Sequence, residues 1–365
     1  MPKIVLFPGD GVGPEVVAEA VKVLTAVEGP FGHRFEVEER AIGGDALDRF
    51  GVPLRKEDIE ATRSADAAIL GAVGGPKWDA IEPSLRPERG LLQIRKELGL
   101  FANLRPVSVL PALAASSPLK PEIVANVDLL VVRELTGGIY FGEPSRRWTD
   151  DHGRAAVDTL TYREHEIERI VRLAFELAGS RRGRVASVDK SNVLQSSRLW
   201  REIVDEVAGE FPGVEVQHVL VDAMAMHLIK SPGEFDVIVT ENMFGDILTD
   251  EASVLPGSIG LLPSASLSDK AGQAAGSRFG LYEPIHGSAP DIAGRGKANP
   301  TGAILSAALM LRWSFALADA ASAIERAVID TIAAGVRTPD IAAEGIGPAS
   351  TAEFGDEVAR QVKDI

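Results

Sequence analysis

Along this chain, short apolar runs of strand length alternate with segments whose apolar positions recur every three or four residues. Lys3-Ile-Val-Leu-Phe7 reads as a strand. Pro14 then suits the first turn of a helix that places Val16, Val17, Ala20, Val23 and Leu24 on one face. Arg34 to Ala41 and Ala67 to Val73 read as two more strands. The alternation is clearest between Arg184 and Pro256, where strands over 185–188, 214–221 and 235–240 are interleaved with helices near 196–210, 222–230 and 243–254. Strand and helix in alternation predict an α/β protein with a mostly parallel sheet, and such sheets place ligand sites beyond the carboxyl ends of their strands. Lys190, Asp222 and Asp246 all fall shortly after such ends.

The stretch 134–160 interrupts this order with Gly137-Gly138, Gly142, Pro144 and Asp150-Asp-His-Gly153, followed by a strand-like run from Ala155 to Tyr162. It reads as a protruding hairpin or arm, which cannot bury a core alone and is suited to pairing with another subunit. A helix follows, with Ile167, Ile170, Val171, Ala174, Phe175 and Ala178 on its apolar face. After it, Arg181-Arg-Gly-Arg184 reads as a solvated helix end.

The 365 residues suffice for two domains, or one with an insertion. No apolar stretch reaches bilayer-spanning length, and the opening residues enter a strand directly without the charged and apolar regions of a signal peptide. Zero cysteines exclude disulfides, thiolate metal sites and a cysteine nucleophile, and fit a cytoplasmic location. A net charge of −15 argues against a nucleic-acid partner. An anionic substrate would need a local cluster of arginines to overcome that field.

Candidates for such a cluster exist. Arg95, Arg105 and Arg133 each lie in or after a strongly apolar stretch, where an unpaired guanidinium is expensive. Salt bridges to Glu97 or Glu134 are one way to satisfy them; convergence on the carboxylates of a small diacid is the other, and is the reading preferred for Arg133. The segment Gly245-Asp-Ile-Leu-Thr-Asp250 carries two acids four apart. On a helix these share one face and repel unless a cation lies between them, and hard oxygen ligands suit Mg²⁺ or Mn²⁺.

Seven segments taken together resemble the β-decarboxylating dehydrogenases, and within them the isopropylmalate type. These are Gly9-Asp-Gly-Val-Gly-Pro-Glu15, Gly74-Gly-Pro-Lys-Trp78, Phe101-Ala-Asn-Leu-Arg-Pro106, Arg133-Glu-Leu-Thr-Gly-Gly-Ile-Tyr-Phe-Gly142, Val188-Asp-Lys-Ser-Asn-Val193, Val221-Asp-Ala-Met-Ala-Met226 and Glu283-Pro-Ile-His-Gly-Ser-Ala-Pro-Asp-Ile292. They run in order from the first strand to about residue 310. The resemblance also corrects a tempting error. Gly9, Gly11 and Gly13, with Glu36, Glu38 and Glu39 on the next strand, suggest a dinucleotide fingerprint, but the spacing is G-x-G-x-G.

The resemblance implies a two-domain, non-Rossmann α/β fold. Residues 1–100 and 257–365 would form a discontinuous cofactor-binding domain, and 101–256 a substrate, metal and dimerisation domain with the 134–160 arm. It implies Tyr140 and Lys190 as the catalytic pair, and Asp222, Asp246 and Asp250 as metal ligands. Arg95, Arg105 and Arg133 would anchor substrate, with Glu88, Leu91, Leu92, Val193 and Asp222 also at the substrate. The NAD loop corresponds to Glu283, His286, Gly287, Ser288, Ala289 and Asp291, with Asn299 nearby, and Asp291 favours NAD over NADP. In the family the lysine and one aspartate come from the partner subunit, so Lys190 and Asp222 would complete a neighbour's site in a homodimer. The implied reaction is the NAD-dependent, Mg²⁺- or Mn²⁺-dependent oxidative decarboxylation of 3-isopropylmalate in leucine biosynthesis. Leu91 and Leu92 suit its isopropyl group, and Arg89 is expected to point to solvent. Tartrate, malate and homoisocitrate remain open as substrates on the same scaffold. So does a silent regulatory subunit, although none of Lys190, Tyr140 and the three aspartates is missing.

Overall fold

The computed structural model describes residues 1–272, 274, 276–342, 345 and 347–364. The chain divides into two compact units. One comprises Met1–Leu100, Leu110–Ser116 and Pro256–Ile365, the other Phe101–Val109 and Ser117–Leu255.

The first unit opens with β1 (Lys3–Gly9), α1 (Gly13–Phe31), β2 (Glu36–Glu39), α2 (Gly43–Phe50), α3 (Lys56–Ser64), β3 (Ala67–Ala72) and α4 (Glu88–Glu97). Strand β1 pairs in parallel with both β2 and β3. All six residues of β3 are buried, as a central parallel strand requires. Strand β2 lies on the sheet's outer side, is shorter than its apolar pattern predicts, and is mostly exposed; Glu38 pairs there with Lys3 and Arg40. The predicted face of α1 is buried throughout.

The glycine-rich turn after β1 is a clamp. A Cβ on Gly9 (φ +70°) would sit 2.0 Å from the Ala72 carbonyl oxygen, and one on Gly11 (φ +60°) 1.9 Å from that of Ser288. The amides of Asp10 and Val12 donate to those same two carbonyls, each at 2.8 Å. Amides committed in this way are not the free donors of a pyrophosphate cradle, which agrees with the non-Rossmann spacing. The Asp10 carboxylate in turn accepts from Gly44 and Asp45 at 2.8 Å and Gly74 at 2.7 Å.

The second unit contains β4 (Leu100–Ser108), α5 (Pro121–Val124), β5 (Asp128–Glu134), β6 (Arg146–Asp150), β7 (Gly153–Val157), α6 (Glu164–Gly179), β8 (Arg184–Asp189), α7 (Gln195–Ala208), β9 (Glu215–Leu220), α8 (Val221–Lys230), β10 (Val237–Thr240) and α9 (Asn242–Ala252). Its strands run in the order β4-β5-β10-β8-β9, all parallel except β4. The carboxyl ends of β5, β10, β8 and β9 therefore share one edge. The arm is a two-stranded hairpin, β6 with β7, mostly exposed. Its strand character stops at Val157, short of the predicted Tyr162, where the chain turns to pack against the loop before β6: Gly142 lies on the Thr159 carbonyl, and Thr159 Oγ1 donates to Pro144 O at 2.9 Å.

The basic run at 181–184 follows the end of α6 with Arg182 and Arg184 exposed, as expected of a solvated helix end. It also ties α6 to β5 and β10: Arg181 donates to Asp236, which is 1% exposed, at 2.8 Å and to Asp128 at 2.9 Å, and Arg182 donates to main-chain oxygens of Asp128 and Phe235. A buried carboxylate needs such partners.

The chain returns to the first unit with β11 (Pro263–Ala271), β12 (Arg278–Pro284), α10 (Thr301–Trp313), α11 (Ala318–Ala333) and α12 (Thr351–Lys363), extending its strand order to β2-β1-β3-β12-β11. Among the described residues no helix is long and apolar enough to cross a membrane.

Candidate active site

The densest chemistry of the second unit lies where β5 and β10 end side by side, Arg133 in register with Thr240. Glu241 follows and caps α9, its carboxylate accepting from the Phe244 amide at 2.7 Å. One turn into α9 come Asp246 and, four residues on, Asp250. Arg133 is 4% exposed and lies along this helix because residue 245 is glycine; a Cβ there would meet the arginine's Cγ at 2.6 Å. Its Nε and Nη2 donate to Asn242 Oδ1 at 3.1 and 2.8 Å, and its Nη1 pairs with Asp246. Tyr140, on a short turn after β5, donates to Asp246 Oδ2 at 2.9 Å, with its ring 5.9 Å from the Arg133 guanidinium. Arg105 of β4 donates to Thr249 Oγ1 at 2.7 Å, Asp250 Oδ1 at 3.5 Å and Asn103 Oδ1 at 2.8 Å.

The like-charged pair is thus offset by two arginines, whose partners include Asp246, Asp250, Asn103, Asn242 and Thr249. Neither Glu97 nor Glu134 serves: Glu97 pairs with Arg63, and Glu134 accepts from the Thr136 and Gly137 amides. Burial, reinforced by the bond to Asp246, pushes the Tyr140 hydroxyl above its ordinary value, so it stays protonated.

Lys190 follows β8 and Asp222 stands in the first turn of α8. They pair with each other, Nζ to Oδ1 at 2.5 Å, and the lysine's hydrogen bond holds Asp222 below the usual carboxylate range. Val193, beyond Lys190, is 63% exposed. Among the described residues, no group of three or more Asp, Glu, His or Cys side chains within one chain is arranged to hold a metal. Asp246 and Asp250 offer an all-carboxylate oxygen pair that suits a hard divalent cation, as two ligands of a larger set.

Beneath these groups lies a buried network that the sequence reading did not find. Glu134, Tyr162, Glu241 and Asn242 are all at most 8% exposed. The Tyr162 hydroxyl accepts from the Asn242 amide at 3.0 Å and lies 3.2 Å from Glu134 Oε2 and 3.4 Å from Glu241 Oε2. Burial raises the Glu241 carboxyl above its ordinary value.

In the first unit, α4 presents Glu88, Leu92 and Arg95 at helical spacing. Leu91 packs partly against the core that contains Val5, Ile42 and Ile94, and Leu92 is 40% exposed. Arg95 Nη2 donates to Glu283 at 2.6 Å, at the end of β12. Arg89 is exposed and reaches the Pro83 carbonyl at 3.3 Å, away from a ligand role. Past β12, His286 Nδ1 lies 2.9 Å from its neighbour's Gly287 O, and its Nε2 is buried without a protein partner, as is Arg95 Nε. An orphaned ring nitrogen beside Gly287, buried Ser288, Ala289 (φ +38°) and exposed Asp291 fits a polar cofactor group. Burial pushes the His286 imidazole below its usual value, so it is neutral at pH 7. The Asn299 side-chain amide donates to Asp340 at 2.9 Å and its oxygen accepts from Thr301 N at 3.0 Å, at the start of α10. Glu15 of α1, whose role no sequence signal suggests, holds the loop's far side through the Gly294 and Gly296 amides.

Two arginines, two aspartates and a tyrosine thus gather at one edge of a mostly parallel sheet, an arrangement of charge suited to an acidic ligand. Residues 3–358 match the family model described as isocitrate/isopropylmalate dehydrogenase. The chain is 57% identical over 357 residues to a 3-isopropylmalate dehydrogenase of Xanthomonas euvesicatoria pv. vesicatoria, covering 98% of each. It is 58% identical over 362 residues to one of Geobacillus kaustophilus, covering 99% of this chain and 96% of the relative. Among solved structures, an isocitrate dehydrogenase from Methylococcus capsulatus superposes with a TM-score of 0.85 at 34% identity, covering 100% of both chains. The chain belongs to the isocitrate/isopropylmalate dehydrogenase family.

Proposed function

We propose that this enzyme oxidises (2R,3S)-3-isopropylmalate with NAD⁺ and decarboxylates the product to 4-methyl-2-oxopentanoate, a step of leucine biosynthesis. Support for the class of reaction comes from Arg105 and Arg133 beside Asp246 and Asp250, which suit a substrate bearing carboxylates. One observation carries the choice of substrate. The residues between Glu88 and Arg95 on the outer face of α4 include Leu92, 40% exposed, which offers a branched alkyl group an apolar contact beside an arginine that takes a carboxylate. Near-full-length relatives bearing the name 3-isopropylmalate dehydrogenase point the same way.

In this reading Asp246 and Asp250, with Asp222 of a second copy, hold Mg²⁺ or Mn²⁺. The bound cation polarises the C2 hydroxyl and stabilises the charge that develops as CO₂ leaves. The fork of Arg133, fixed by Asn242, and that of Arg105, fixed by Asn103 and Thr249, orient the substrate carboxylates. The Lys190–Asp222 pair takes up the hydroxyl proton as C2 gives its hydride to NAD⁺. After loss of CO₂, the protonated Tyr140 hydroxyl delivers a proton to C3. The loop from Glu283 to Asp291, with His286 Nε2 free to bond, holds NAD, and the Asp291 carboxylate disfavours the extra phosphate of NADP.

Lys190 and Asp222 pair with each other, and among the described residues no third acid joins Asp246 and Asp250, which supports a catalytic set assembled from two copies in a homodimer. Exposed apolar side chains on α8 and α9 (Met226 at 65%, Ile229 at 51%, Ile247 at 59%) support that interface, and the β6–β7 hairpin is a second contact. The test is NADH formation with 3-isopropylmalate, NAD⁺ and Mg²⁺ beside D-malate, tartrate, isocitrate and homoisocitrate. Clear preference for 3-isopropylmalate, lost with EDTA and in Lys190→Ala, is expected. Preference for another acid would overturn the argument from Leu92.

A further inference from the structure

The Tyr162 hydroxyl is the node on which two supports of the proposed site meet. On one side is the loop that carries Tyr140. The ring packs closely against Gly137 and Gly138: a Cβ on Gly137 would come within 2.5 Å of Tyr162 Cε1, and one on Gly138 (φ +77°) within 2.8 Å of the hydroxyl. Glu134, 3.2 Å from that hydroxyl, accepts from the Thr136 and Gly137 amides at 2.8 Å each and so fixes the start of the loop. On the other side is α9. The hydroxyl accepts from the Asn242 amide at 3.0 Å, one of the first-turn amides that no helical carbonyl can satisfy. It also lies 3.4 Å from Glu241, the residue that caps the same helix. Asn242 closes the circuit, its side-chain amide donating to Gly137 O at 3.2 Å while its oxygen receives Arg133.

Packing alone does not call for the hydroxyl. The ring fills its space against Trp200, edge to face at 5.9 Å, and a phenylalanine at this buried position would do the same without bringing a polar atom between two carboxyl groups. We propose that Tyr162 is a positioning residue, its hydroxyl setting the register between the Tyr140 loop and the helix start that carries Asn242, Asp246 and Asp250. The proposal rests on the reaction assigned above. It acts through the placement of the Tyr140 hydroxyl relative to α9, and touches no reacting atom.

The experiment uses the full-length protein with Tyr162→Phe, Tyr140→Phe and the double variant, assayed for NADH formation with 3-isopropylmalate, NAD⁺ and Mg²⁺, together with hydrogen exchange on the unliganded proteins. Tyr162→Phe alone lowers kcat by about tenfold or more, while KM for NAD⁺ moves by less than about twofold. In the Tyr140→Phe background the same substitution costs less than about twofold, because its effect passes through the missing hydroxyl. Losses that multiply independently in the double variant overturn the proposal, as does wild-type kcat in Tyr162→Phe. Hydrogen exchange supplies a readout that does not need turnover. In Tyr162→Phe, peptides spanning 134–142 and 240–248 exchange about tenfold faster while those of β8 and α7 are unchanged. Faster exchange throughout the unit, or a variant that does not fold, reduces Tyr162 to a structural residue and overturns the proposal. Wild-type protein inactive on 3-isopropylmalate refutes the substrate reading instead, and the exchange pattern alone then decides on Tyr162.

Discussion

Arg133→Lys keeps the positive charge and removes the fork, so it separates what the guanidinium's shape contributes from what its charge contributes. Arg133 is 4% exposed, and two of its nitrogens share Asn242 Oδ1 at 3.1 and 2.8 Å. A lysine that follows Asp246 abandons that oxygen. Leaving a buried acceptor unsatisfied costs about 1–3 kcal/mol, and the lost net bonding adds about 1 kcal/mol, so the unit should lose about 2–4 kcal/mol. For a unit of this size that corresponds to a fall in Tm of about 4–16 °C, read by circular dichroism. The substrate-side effect is separate: a bidentate charged contact contributes about 1.5–3 kcal/mol, so kcat/KM should fall by about 10- to 150-fold. Arg89→Lys, on the same substrate panel, is the control, since Arg89 is exposed and reaches only the Pro83 carbonyl. Arg133→Lys that melts within about 1 °C of wild type and keeps kcat/KM within threefold would sink both the packing argument and the anchoring role.

Asp250→Asn should raise the Mg²⁺ concentration needed for half-maximal activity by about tenfold or more in a metal titration, since it removes one charge from the ligand set. EDTA should abolish wild-type activity and added Mg²⁺ restore it. Glu241→Gln keeps an acceptor for the Phe244 amide while removing a carboxyl whose ionisation burial opposes. The folded-state value of Glu241 lies above its ordinary 4.5, so its contribution to stability is present below that value and lost as pH rises through the folded value. Urea midpoints at pH 4.5 and pH 8 should therefore show wild type losing ground to the variant at the higher pH; a constant difference would contradict the burial argument. Mixing inactive Lys190→Ala with inactive Asp246→Asn, under conditions that exchange subunits, should restore activity, because one hybrid site carries both intact halves. No recovery, with hybrid dimers verified by mass spectrometry, would place both residues in one chain's site.

The alternation of strand and helix was readable because each element buries a face at the period its geometry dictates. The predicted apolar positions of α1 and α6 are all buried. The chemistry at the carboxyl edge was readable for a similar local reason: a charged residue just past an apolar strand has few places to go. What stayed hidden depends on partners far apart in sequence. Nothing near Arg95 announces Glu283, 188 residues away, and nothing near Tyr162 announces Asn242, 80 residues away. The nearby acids Glu97 and Glu134 looked like partners because sequence proximity was the only measure to hand, whereas the strand order sets the actual neighbours. Glu134 emerges from β5 facing the Gly137 loop, and Glu97 at the end of α4 meets Arg63 of α3. The partner of Arg181 is hidden for the same reason, since Asp236 reads in sequence as one more polar residue before a strand.

The division of charge within the second unit carries the argument for assembly. Asp246 is held between Arg133 and Tyr140, and Asp250 faces Arg105, while Asp222 is bound to Lys190. Were all three acids gathered in one chain, their mutual repulsion would have to be borne by the folded monomer whenever the cation was released. Parting them lets each carboxylate keep its own partner, and in the proposed dimer would bring the third acid to the cation only when two copies meet. The exposed apolar side chains on α8 and α9, the helices that carry Asp222 on one and Asp246 and Asp250 on the other, are the surface that the proposed dimer would cover. Ile247→Asp, on the same helix and one residue from Asp246, should shift the protein from dimer to monomer in sedimentation and remove activity in proportion. A monomer with full turnover would show that one chain holds the complete site.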